Sequence, residues 1–588
     1  MNTEWRLDNI YPSYESPEFL GDMERTDTEL EALCAIVEKA EAELNEETAK
    51  DLLVALEKFS LLIEKIGLYV SLRYEADSES AENMNMFSRL MQKFSKVEPV
   101  STRAMKALSK GDFYKEAAKK EKIFSDYAFL LERNCENAKR FLSNDAEEML
   151  AIMNVSGGSA WGSMSSALCS SLAVEYDGGT VTLPEIRNLA YSEDAAVRKA
   201  AYEAEIAAYK KIEQPMAFAI NNIKKQASAV AKKRGYSSVL ESTLDSQNMT
   251  KETLDAMFGE IRKYLPHFHR YLRAKAKLLG YEGGLPWYEL FAPVGESGMK
   301  FTVEEAGETL VRVFSSFSDE MADLMRRAFE DRWIDFYPRK GKAGGAFCAE
   351  AHCLGESRIL TNFDGTFSAV TTLAHELGHA FHNFALRNQA YLNLSSLPMP
   401  LAETASTFNE AFLLGDVMDK APDSERLYLL QNSLSETTQI ICDIYSRFLF
   451  ESRVVEGAEE GFLSADELCG IMLEAQKEAY GDGLDENCLH KYMWVCKGHY
   501  YSAGLSFYNF PYAFGGLLSS GLYAEYRKNP DGFDKRYSDF LYATTINTIE
   551  DAAMVAGIDV TKPDFWRAGL EAYKEQIDEF CALVDAIA

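Results

Sequence analysis

Apolar residues recur at three- and four-residue spacing along most of the chain. The clearest stretch is "TDTELEALCAIVEKAEAELNEETAKDLLVALEKFSLLIEKIGLYVSLRY", in which Glu and Lys fill many of the positions between the apolar ones. This periodicity is typical of amphipathic helices. Proline, which breaks helices, occurs only 15 times in 588 residues. The pattern therefore predicts a mainly α-helical fold.

One region that departs from the helical pattern is "LAVEYDGGTVTLPEI", which runs from Leu172 to Ile186. Two strand-like runs flank Asp-Gly-Gly there, which is a hairpin signal. Directly after it, "SEDAAVRKAAYEAEIAAYKKI" restarts a helix behind a Ser-x-Asp cap. We therefore predict a domain boundary near residue 195, between an N-terminal helical domain (1–195) and a C-terminal domain (196–588).

A second departure from the helical pattern is rich in glycine and aromatic residues. It reads "DRWIDFYPRKGKAGGAFCAEAHCLGESRILTNFDGTFSAV", from Asp331 to Val370, and contains the strand-like runs "GAFCAEA" and "SRILTNF". This segment predicts a small β element that leads into the next part of the chain.

Composition and charge narrow the possible classes of protein. Hydrophobic residues make up 47% and charged residues 26%, which is a globular composition. The net charge of −31 argues against nucleic acid and anionic membranes as partners, because both need basic patches. The N-terminus has no apolar secretory signal, and no run is long enough to cross a membrane. We expect a cytoplasmic protein whose ten cysteines are reduced.

The stretch "TTLAHELGHAFHNFA" holds three of the chain's eight histidines and contains an HExxH motif. On a helix, His375 and His379 lie one turn apart on the same face, so both imidazoles can converge on one zinc ion. Glu376 sits where its carboxylate can reach a water molecule beside the metal. The motif arises by chance in about one chain in a hundred of this length, so two ordinary helix histidines are the alternative. His382 lies beyond the pair and is predicted to be structural.

A zinc site of this kind needs a third protein ligand. The segment "PMPLAETASTFNEAFLLGDVM" supplies Glu403 and Glu410, seven residues apart and so on one helix face. Glu403 is the predicted ligand, although an acidic residue in a first helical turn is also favourable by itself. Glu410 could bind the metal instead, but we expect it to orient a histidine N–H.

The segments "LTNFDGTFSAVTTLAHELGHAFH" and "LAETASTFNE" resemble the zinc oligopeptidases of the thimet oligopeptidase family, and specifically its oligoendopeptidase F branch. The segments "WIDFYPRKGKAGGAF", "EWRLDNIYPS" and "SEDAAVRKAAYEA" are similar too, so the resemblance covers nearly the whole chain. It implies one zinc ion per chain on His375, His379 and Glu403, with Glu376 as general base. It also implies short peptides as substrates and a helical fold that closes around a deep channel, with the C-terminal domain carrying the chemistry.

The segment "CKGHYYSAGLSFYNFPYAFGGLL" combines a histidine with several tyrosines. In the family, a histidine followed by tyrosines lies opposite the zinc, so the resemblance implies His499, Tyr508 and Tyr512 as donors to the oxyanion of peptide hydrolysis. Phe510 stands where the branch usually has a tyrosine, and the spacing after His499 is longer. The choice between Tyr508 and Tyr512 therefore stays open, and an aromatic stripe in the core is the alternative.

By the same resemblance, the β element would offer an edge strand to an extended peptide. Gly344, Gly345 and Ala346 would let the substrate backbone approach closely, unless they form a plain glycine-rich loop. His352, a lone histidine in this segment, is predicted to be structural.

Two other functions compete with a zinc endopeptidase. A zinc metallocarboxypeptidase of another helical HExxH family would need a cationic clamp for the C-terminus of its substrate, and the sequence does not locate one. A non-catalytic peptide-binding protein on the same fold is disfavoured by the intact Glu376 and the complete ligand set.

Overall fold

A computed structural model describes residues 3–295 and 298–587. Helices dominate it, which confirms the predicted mainly α fold. The first part of the chain forms α1 (Pro17–Ala42), α2 (Glu46–Ala76), α3 (Ala81–Phe94), α4 (Val97–Leu108), α5 (Tyr114–Ala117), α6 (Lys122–Asp126), α7 (Ala128–Ala138), α8 (Asn144–Ser156) and α9 (Gly158–Ser170).

A hairpin of β1 (Val174–Tyr176) and β2 (Gly179–Val181) separates these helices from the next group. That group and a small sheet consist of α10 (Leu183–Asn188), α11 (Ala195–Tyr209), α12 (Glu213–Lys233), α13 (Val239–Ser246), α14 (Lys251–Leu278), α15 (Val303–Phe314), α16 (Asp319–Glu330), β3 (Ile334–Asp335), β4 (Phe347–Ala351) and β5 (Glu356–Leu360).

The remaining helices follow the small sheet without further strands in the described residues. They are α17 (Phe367–Leu386), α18 (Met399–Ala402), α19 (Thr404–Met418), α20 (Asp423–Thr438), α21 (Ile444–Glu460), α22 (Ala465–Tyr480), α23 (Phe510–Lys528), α24 (Phe533–Ala543), α25 (Ile549–Val555) and α26 (Pro563–Ile587). None of the helices in residues 3–295 and 298–587 combines the length and hydropathy needed to span a bilayer.

The hairpin and the helix after it form where the sequence predicts them. Asp177 (φ 48°) and Gly178 (φ 73°) both have positive φ, as a tight two-residue hairpin turn requires. The helix α11 begins directly after Asp194, which caps it: the Asp194 carboxylate accepts a hydrogen bond from the Ala196 amide. The sequence therefore encodes these local structures through turn and cap residues.

Buried apolar side chains form one large cluster and two smaller ones. The large cluster joins the hairpin region, with Leu172, Val174 and Ile186, to the helices of the C-terminal part. One small cluster lies between α1, α2, α4 and α7. The predicted boundary near residue 195 stays a prediction, with the hairpin region sharing the core of the residues that follow it.

The small sheet has the strand order β3-β5-β4, with β3 parallel and β4 antiparallel to β5. β4 is therefore an edge strand. Successive side chains of β5 point to opposite faces. Ile359 lies in the large cluster, whereas Leu360 lies in the second small cluster with Trp5, Tyr11 and other N-terminal residues. β5 thus forms part of two hydrophobic cores.

Main-chain hydrogen bonds fasten the N-terminal segment to this sheet region. The Phe336 amide donates to the Thr3 carbonyl over 3.0 Å, and the Ala343 amide donates to the Glu75 carbonyl over 2.8 Å. The Arg358 guanidinium, which is buried, donates to the carbonyl of Arg6 over 2.8 Å. The segment before α1 is therefore bonded to β5 and to the end of β3, and the end of α2 is bonded to the loop before β4.

Candidate metal centre

α17 carries the HExxH residues. The Thr366 hydroxyl caps the helix by accepting a hydrogen bond from the Ala369 amide, and Asp364 in turn holds Thr366 through its amide and hydroxyl. Farther along the helix, the rings of His375 and His379 lie on the same face, with their centroids 4.9 Å apart.

Glu403 lies between α18 and α19 and completes a three-residue group. Its Oε2 atom is 3.3 Å from Nε2 of His375 and 3.4 Å from Nε2 of His379. One ligand atom from each of the three residues lies within 4.8 Å of the others. The structure therefore brings together the three residues that the sequence predicts as ligands.

This group has the composition and spacing that a zinc ion requires. Zinc binds histidine nitrogen and carboxylate oxygen at about 2.0–2.1 Å in tetrahedral geometry, which places neighbouring ligand atoms roughly 3.3–3.4 Å apart. The two separations between Glu403 and the histidines agree with that value. Three protein ligands also leave the fourth position open. The residues present therefore fit a zinc ion.

Close packing of α17 against α19 brings Glu403 to the histidines. A Cβ atom at Gly378 would lie 2.5 Å from the carbonyl oxygen of Ala405 and 2.7 Å from Cα of Ser406, which is closer than atoms pack. Only glycine allows the two backbones to approach this closely. The glycine inside HExxH is thus explained by the neighbouring helix.

Polar side chains hold the predicted ligands in orientation. Nδ1 of His375 is 2.6 Å from Oε1 of Glu410, so Glu410 is placed to fix the ring and its tautomer, in the position that the sequence predicts for it. The Ser406 hydroxyl donates to Oε2 of Glu403 over 2.8 Å. Sequence reasoning missed Ser406, for which the only signal is its position one helical turn after Glu403.

The electrostatics of the site follow from burial and from this network. Burial alone would lower the pKa of His375, but the carboxylates of Glu403 and Glu410 outweigh it and raise the pKa to about 10. Hydrogen bonds from His375 and then His379 hold the pKa of the Glu403 carboxyl well below its usual range. Burial raises the pKa of Glu376, against the opposing charges of His375 and His379. Because zinc ligands bind in deprotonated form, a metal ion would replace the protons shared within this group.

The aromatic segment lies against the Glu403 turn. A Cβ atom on Gly515 of α23 would lie 3.4 Å from Cβ of Glu403, and Tyr512 precedes Gly515 in the first turn of the same helix. The hydroxyl groups of Tyr512 and Tyr508 are 3.3 Å apart. The rings of Tyr508 and His499 face each other, with centroids 6.2 Å apart. The segment thus places His499, Tyr508 and Tyr512 in one continuous group.

His499 is a neutral imidazole in this setting. Burial, and then the charge of Arg447, lowers its pKa to about 3. Its Nε2 atom is buried, and within the described structure it has no hydrogen-bond partner. Phe510, which replaces the usual tyrosine, is fully buried at the start of α23. Phe510 is therefore a core residue.

The structure shortens the predicted edge strand. Gly344, Gly345 and Ala346 lie in a bend before β4, and Gly345 has a φ of 78°, which does not fit an extended strand. The side-chain amide of Asn362 donates to the carbonyls of Ala343 and Gly345 and holds this bend. The three residues thus lie in a loop, and the strand edge starts at Phe347. Their contact with a substrate backbone stays a prediction.

The two remaining histidines of this region lie outside the metal group. Nε2 of His382 is 2.9 Å from the Thr544 hydroxyl, and burial lowers the pKa of His382 to about 3. Nδ1 of His352 is 3.5 Å from Glu350. Both side chains have local partners that account for them structurally.

The sequence of the chain matches models of known protein families. The family model described as "Peptidase family M3" matches residues 188–571, and the model described as "Oligopeptidase F" matches residues 109–173. Oligopeptidase PepF of Bacillus subtilis is 29% identical over 395 residues, which are 67% of this chain and 58% of that protein. This chain thus spans less than two thirds of that relative's length. An oligoendopeptidase F homolog of Lactococcus lactis is 26% identical over 605 residues, covering 99% of this chain and 97% of that protein.

Solved structures with the same fold exist as well. A protein from Chlamydophila abortus superposes with a TM-score of 0.86 at 20% identity, covering 99% of this chain and 98% of that one. Oligoendopeptidase-F from Enterococcus faecium superposes with a TM-score of 0.70 at 20% identity, covering 96% of this chain and 100% of that one. The arrangement of helices described above is therefore shared with these proteins.

Proposed function

The chain belongs to peptidase family M3, and on that basis we propose that it is a zinc-dependent endopeptidase that hydrolyses short peptides. The observation that carries the proposal is the group formed by His375, His379 and Glu403, with Glu376 beside it on α17. The resemblance to the oligoendopeptidase F branch, drawn from the sequence, is confirmed by the family models and by the relatives.

His375, His379 and Glu403 would hold the zinc ion. When bound, zinc supplies Lewis-acid chemistry, which polarises a peptide carbonyl group and makes a water molecule more acidic. Glu410 keeps Nε2 of His375 directed at the site by bonding its Nδ1 atom, and Ser406 does the same for the Glu403 carboxylate. These contacts support a site that is organised before substrate arrives.

Glu376 is the proposed general base. Its carboxylate, buried beside the two histidines, would take a proton from the attacking water and pass it to the nitrogen of the leaving amine. A pKa raised by burial suits this role, because a base works best when its pKa is near the working pH. Glu376 is not needed to hold the metal, since three other residues supply the ligand atoms.

Tyr508, Tyr512 and His499 are the proposed donors to the developing oxyanion. The tyrosine hydroxyl groups, 3.3 Å apart, can both donate, and the neutral imidazole of His499 carries one N–H. Donors that are already in place when charge develops stabilise the transition state more than the ground state. Tyr508 contacts both other members of the group, so it is the preferred main donor.

Replacing Tyr508 with phenylalanine is therefore expected to lower kcat by roughly 10²–10³-fold, the usual effect of losing one oxyanion donor. KM should change little, because the hydroxyl acts mainly in the transition state. Steady-state kinetics on one peptide measure both constants. Tyr526→Phe is the control for the chemical change, since that hydroxyl bonds only weakly to the Ser316 carbonyl, away from the site. An unchanged kcat with weaker binding would make Tyr508 a binding residue and move the donor role to Tyr512 or His499.

Short peptides are the proposed substrates. β4 lies beside α17, and its outer edge pairs with no strand of the described residues, so an extended peptide could add to it through main-chain hydrogen bonds. The ligand side chains are only a quarter to a third exposed, with values of 25% for His375, 24% for His379 and 35% for Glu403. This partial burial supports a narrow channel, such as the resemblance implies, over an open cleft.

A series of peptides of increasing length, each blocked at its C-terminus, tests the function. The zinc-loaded protein is expected to cut the blocked peptides at internal bonds and to leave a stably folded protein intact. A folded protein would have to unfold to enter a channel, at a cost of about 5–15 kcal/mol, whereas a flexible peptide has no such cost. Mass spectrometry of the products locates each cut.

The outcomes separate the competing functions. A metallocarboxypeptidase would cut only the unblocked versions of the same peptides, and a non-catalytic binding protein would cut neither. Efficient cleavage of the folded protein within its native loops would contradict the enclosed channel while leaving the peptidase activity in place.

A further inference from the structure

We infer that the buried ion pair between Lys224 of α12 and Glu451 of α21 positions Tyr508 for catalysis. The inference rests on the proposed role of Tyr508 as an oxyanion donor. Neither member of the pair belongs to the site described above, and neither touches the metal group. Both act on Tyr508 through its neighbours in the chain.

Glu451 bonds the residues on either side of Tyr508. Its Oε1 atom accepts hydrogen bonds from Nζ of Lys224 over 2.7 Å and from the Phe507 amide over 2.9 Å. Its Oε2 atom accepts a longer bond, of 3.4 Å, from the side-chain amide of Asn509. The loop that carries Tyr508 is thus fixed immediately before and immediately after the tyrosine.

The loop needs such an anchor because its backbone is strained. Phe507 has a φ of 54°, in the left-handed region that bulky side chains rarely adopt. A conformation of this kind persists only where the surroundings enforce it, and such residues cluster at functional sites. The Phe507 ring packs on Phe448, 5.5 Å away between centroids, while the bond to Glu451 holds the amide. The anchor thus keeps the chain turned so that Tyr508 faces His499 and Tyr512.

A charged acceptor suits this task better than a neutral one. Hydrogen bonds to a carboxylate are shorter and stronger than those between neutral groups. A carboxylate that is fully buried needs a counter-charge, and Lys224, which is also 0% exposed, supplies it. Apolar side chains of similar size often stabilise a protein as well as a buried ion pair does. Stability alone therefore does not account for the pair, whereas positioning does.

A second buried pair in the same chain provides a matched control. Arg198 and Glu289 are 4% and 0% exposed, and they form a direct ion pair. Glu289 also accepts a hydrogen bond from the Tyr281 hydroxyl and has no contact with the loop of Tyr508. Removing the Arg198–Glu289 pair should lower the free energy of unfolding about as much as removing the Lys224–Glu451 pair, but it should not displace the proposed donors.

The test replaces both members of the pair, so that no buried charge is left alone. The variant Lys224→Met/Glu451→Met keeps the volume of the pair but removes the acceptor for the Phe507 amide. Relative to the unchanged zinc-loaded protein, kcat on a blocked peptide is expected to fall between roughly 10- and 100-fold, because a small misplacement of a catalytic group costs about that much. KM should stay nearly constant. The control variant Arg198→Met/Glu289→Met should retain kcat.

Coupling to Tyr508 distinguishes positioning from a general structural effect. In a Tyr508→Phe background, the Met/Met replacement should lower kcat no further, since the group that it positions is already lost. The variant Lys224→Met/Glu451→Gln restores an oxygen acceptor for the Phe507 amide and should recover part of kcat. If the Met/Met variant fails to fold, the smaller loss of kcat that remains in the Met/Gln variant is measured in the same cycle, and it too should disappear in the Tyr508→Phe background.

Each outcome decides the matter. A kcat that is unchanged in the pair variant, or a loss that adds fully to that of Tyr508→Phe, overturns the positioning role and leaves the proposed function standing. An unchanged kcat in Tyr508→Phe alone overturns the donor role of Tyr508 and, with it, the positioning role, while the peptidase function stands. A loss of kcat that disappears in the Tyr508→Phe background supports the inference.

Discussion

Replacement of Glu376 by glutamine is expected to abolish nearly all peptide hydrolysis while the protein remains folded and keeps its zinc. Glutamine has the size of glutamate but cannot take a proton from water. General bases contribute roughly 10²–10⁴-fold to rate, so kcat should fall by at least that factor. Zinc content should stay at one ion per chain, because the ligand atoms come from His375, His379 and Glu403.

Three measurements make this result specific. Metal analysis and a thermal unfolding curve show that the site and the fold survive, and single-turnover kinetics show that the chemical step is lost. Glu320→Gln is the control, since Glu320 is half exposed on α16 and, among the described residues, forms an ion pair only with Arg387, at 3.4 Å. Full kcat in the Glu376→Gln protein would remove Glu376 from the reaction and require another base.

Replacement of His375 by alanine is expected to remove both the zinc and the activity. The substitution deletes one of three ligand atoms and leaves Glu410 without the ring nitrogen that it bonds at 2.6 Å. Two remaining ligands do not make a site of the kind that zinc enzymes use. After dialysis against metal-free buffer, the variant should contain almost no zinc, whereas the unchanged protein should retain one ion per chain.

A histidine outside the group controls for this change. His352→Ala also removes a partly buried imidazole, but one that is paired with Glu350 and lies in the turn between β4 and β5. This variant should bind zinc as the unchanged protein is expected to and should keep most of the activity. Stoichiometric zinc with full turnover in the His375→Ala protein would show that the metal group has been assigned to the wrong residues.

The metal group could be predicted from the sequence because its geometry is local. His375 and His379 are one helical turn apart, and the Thr366 cap starts their helix in the right phase. Glu403 follows the short helix α18, which begins after Pro398, and directly precedes α19. The close approach of α19 to Gly378, by contrast, is seen only in the structure.

Other features depend on contacts between distant parts of the chain. Glu451 is 227 residues from Lys224 and 56 residues from Phe507, and no spacing rule connects them. The left-handed conformation of Phe507 is equally unpredictable, because bulky residues do not favour it. The sequence predicts a strand from Gly345, whereas the strand starts at Phe347, because small residues next to an apolar run are compatible with both a strand and a bend.

The strand β5 has a mechanical consequence. Ile359 and Leu360 are neighbours in the chain but belong to two separate hydrophobic cores. One core includes α17, and the other includes the N-terminal segment. A sliding movement of one core relative to the other would disrupt β5 and expose apolar side chains of both cores. We therefore expect the two cores to move together as one rigid unit, so that any movement that admits a peptide takes place between other parts of the chain.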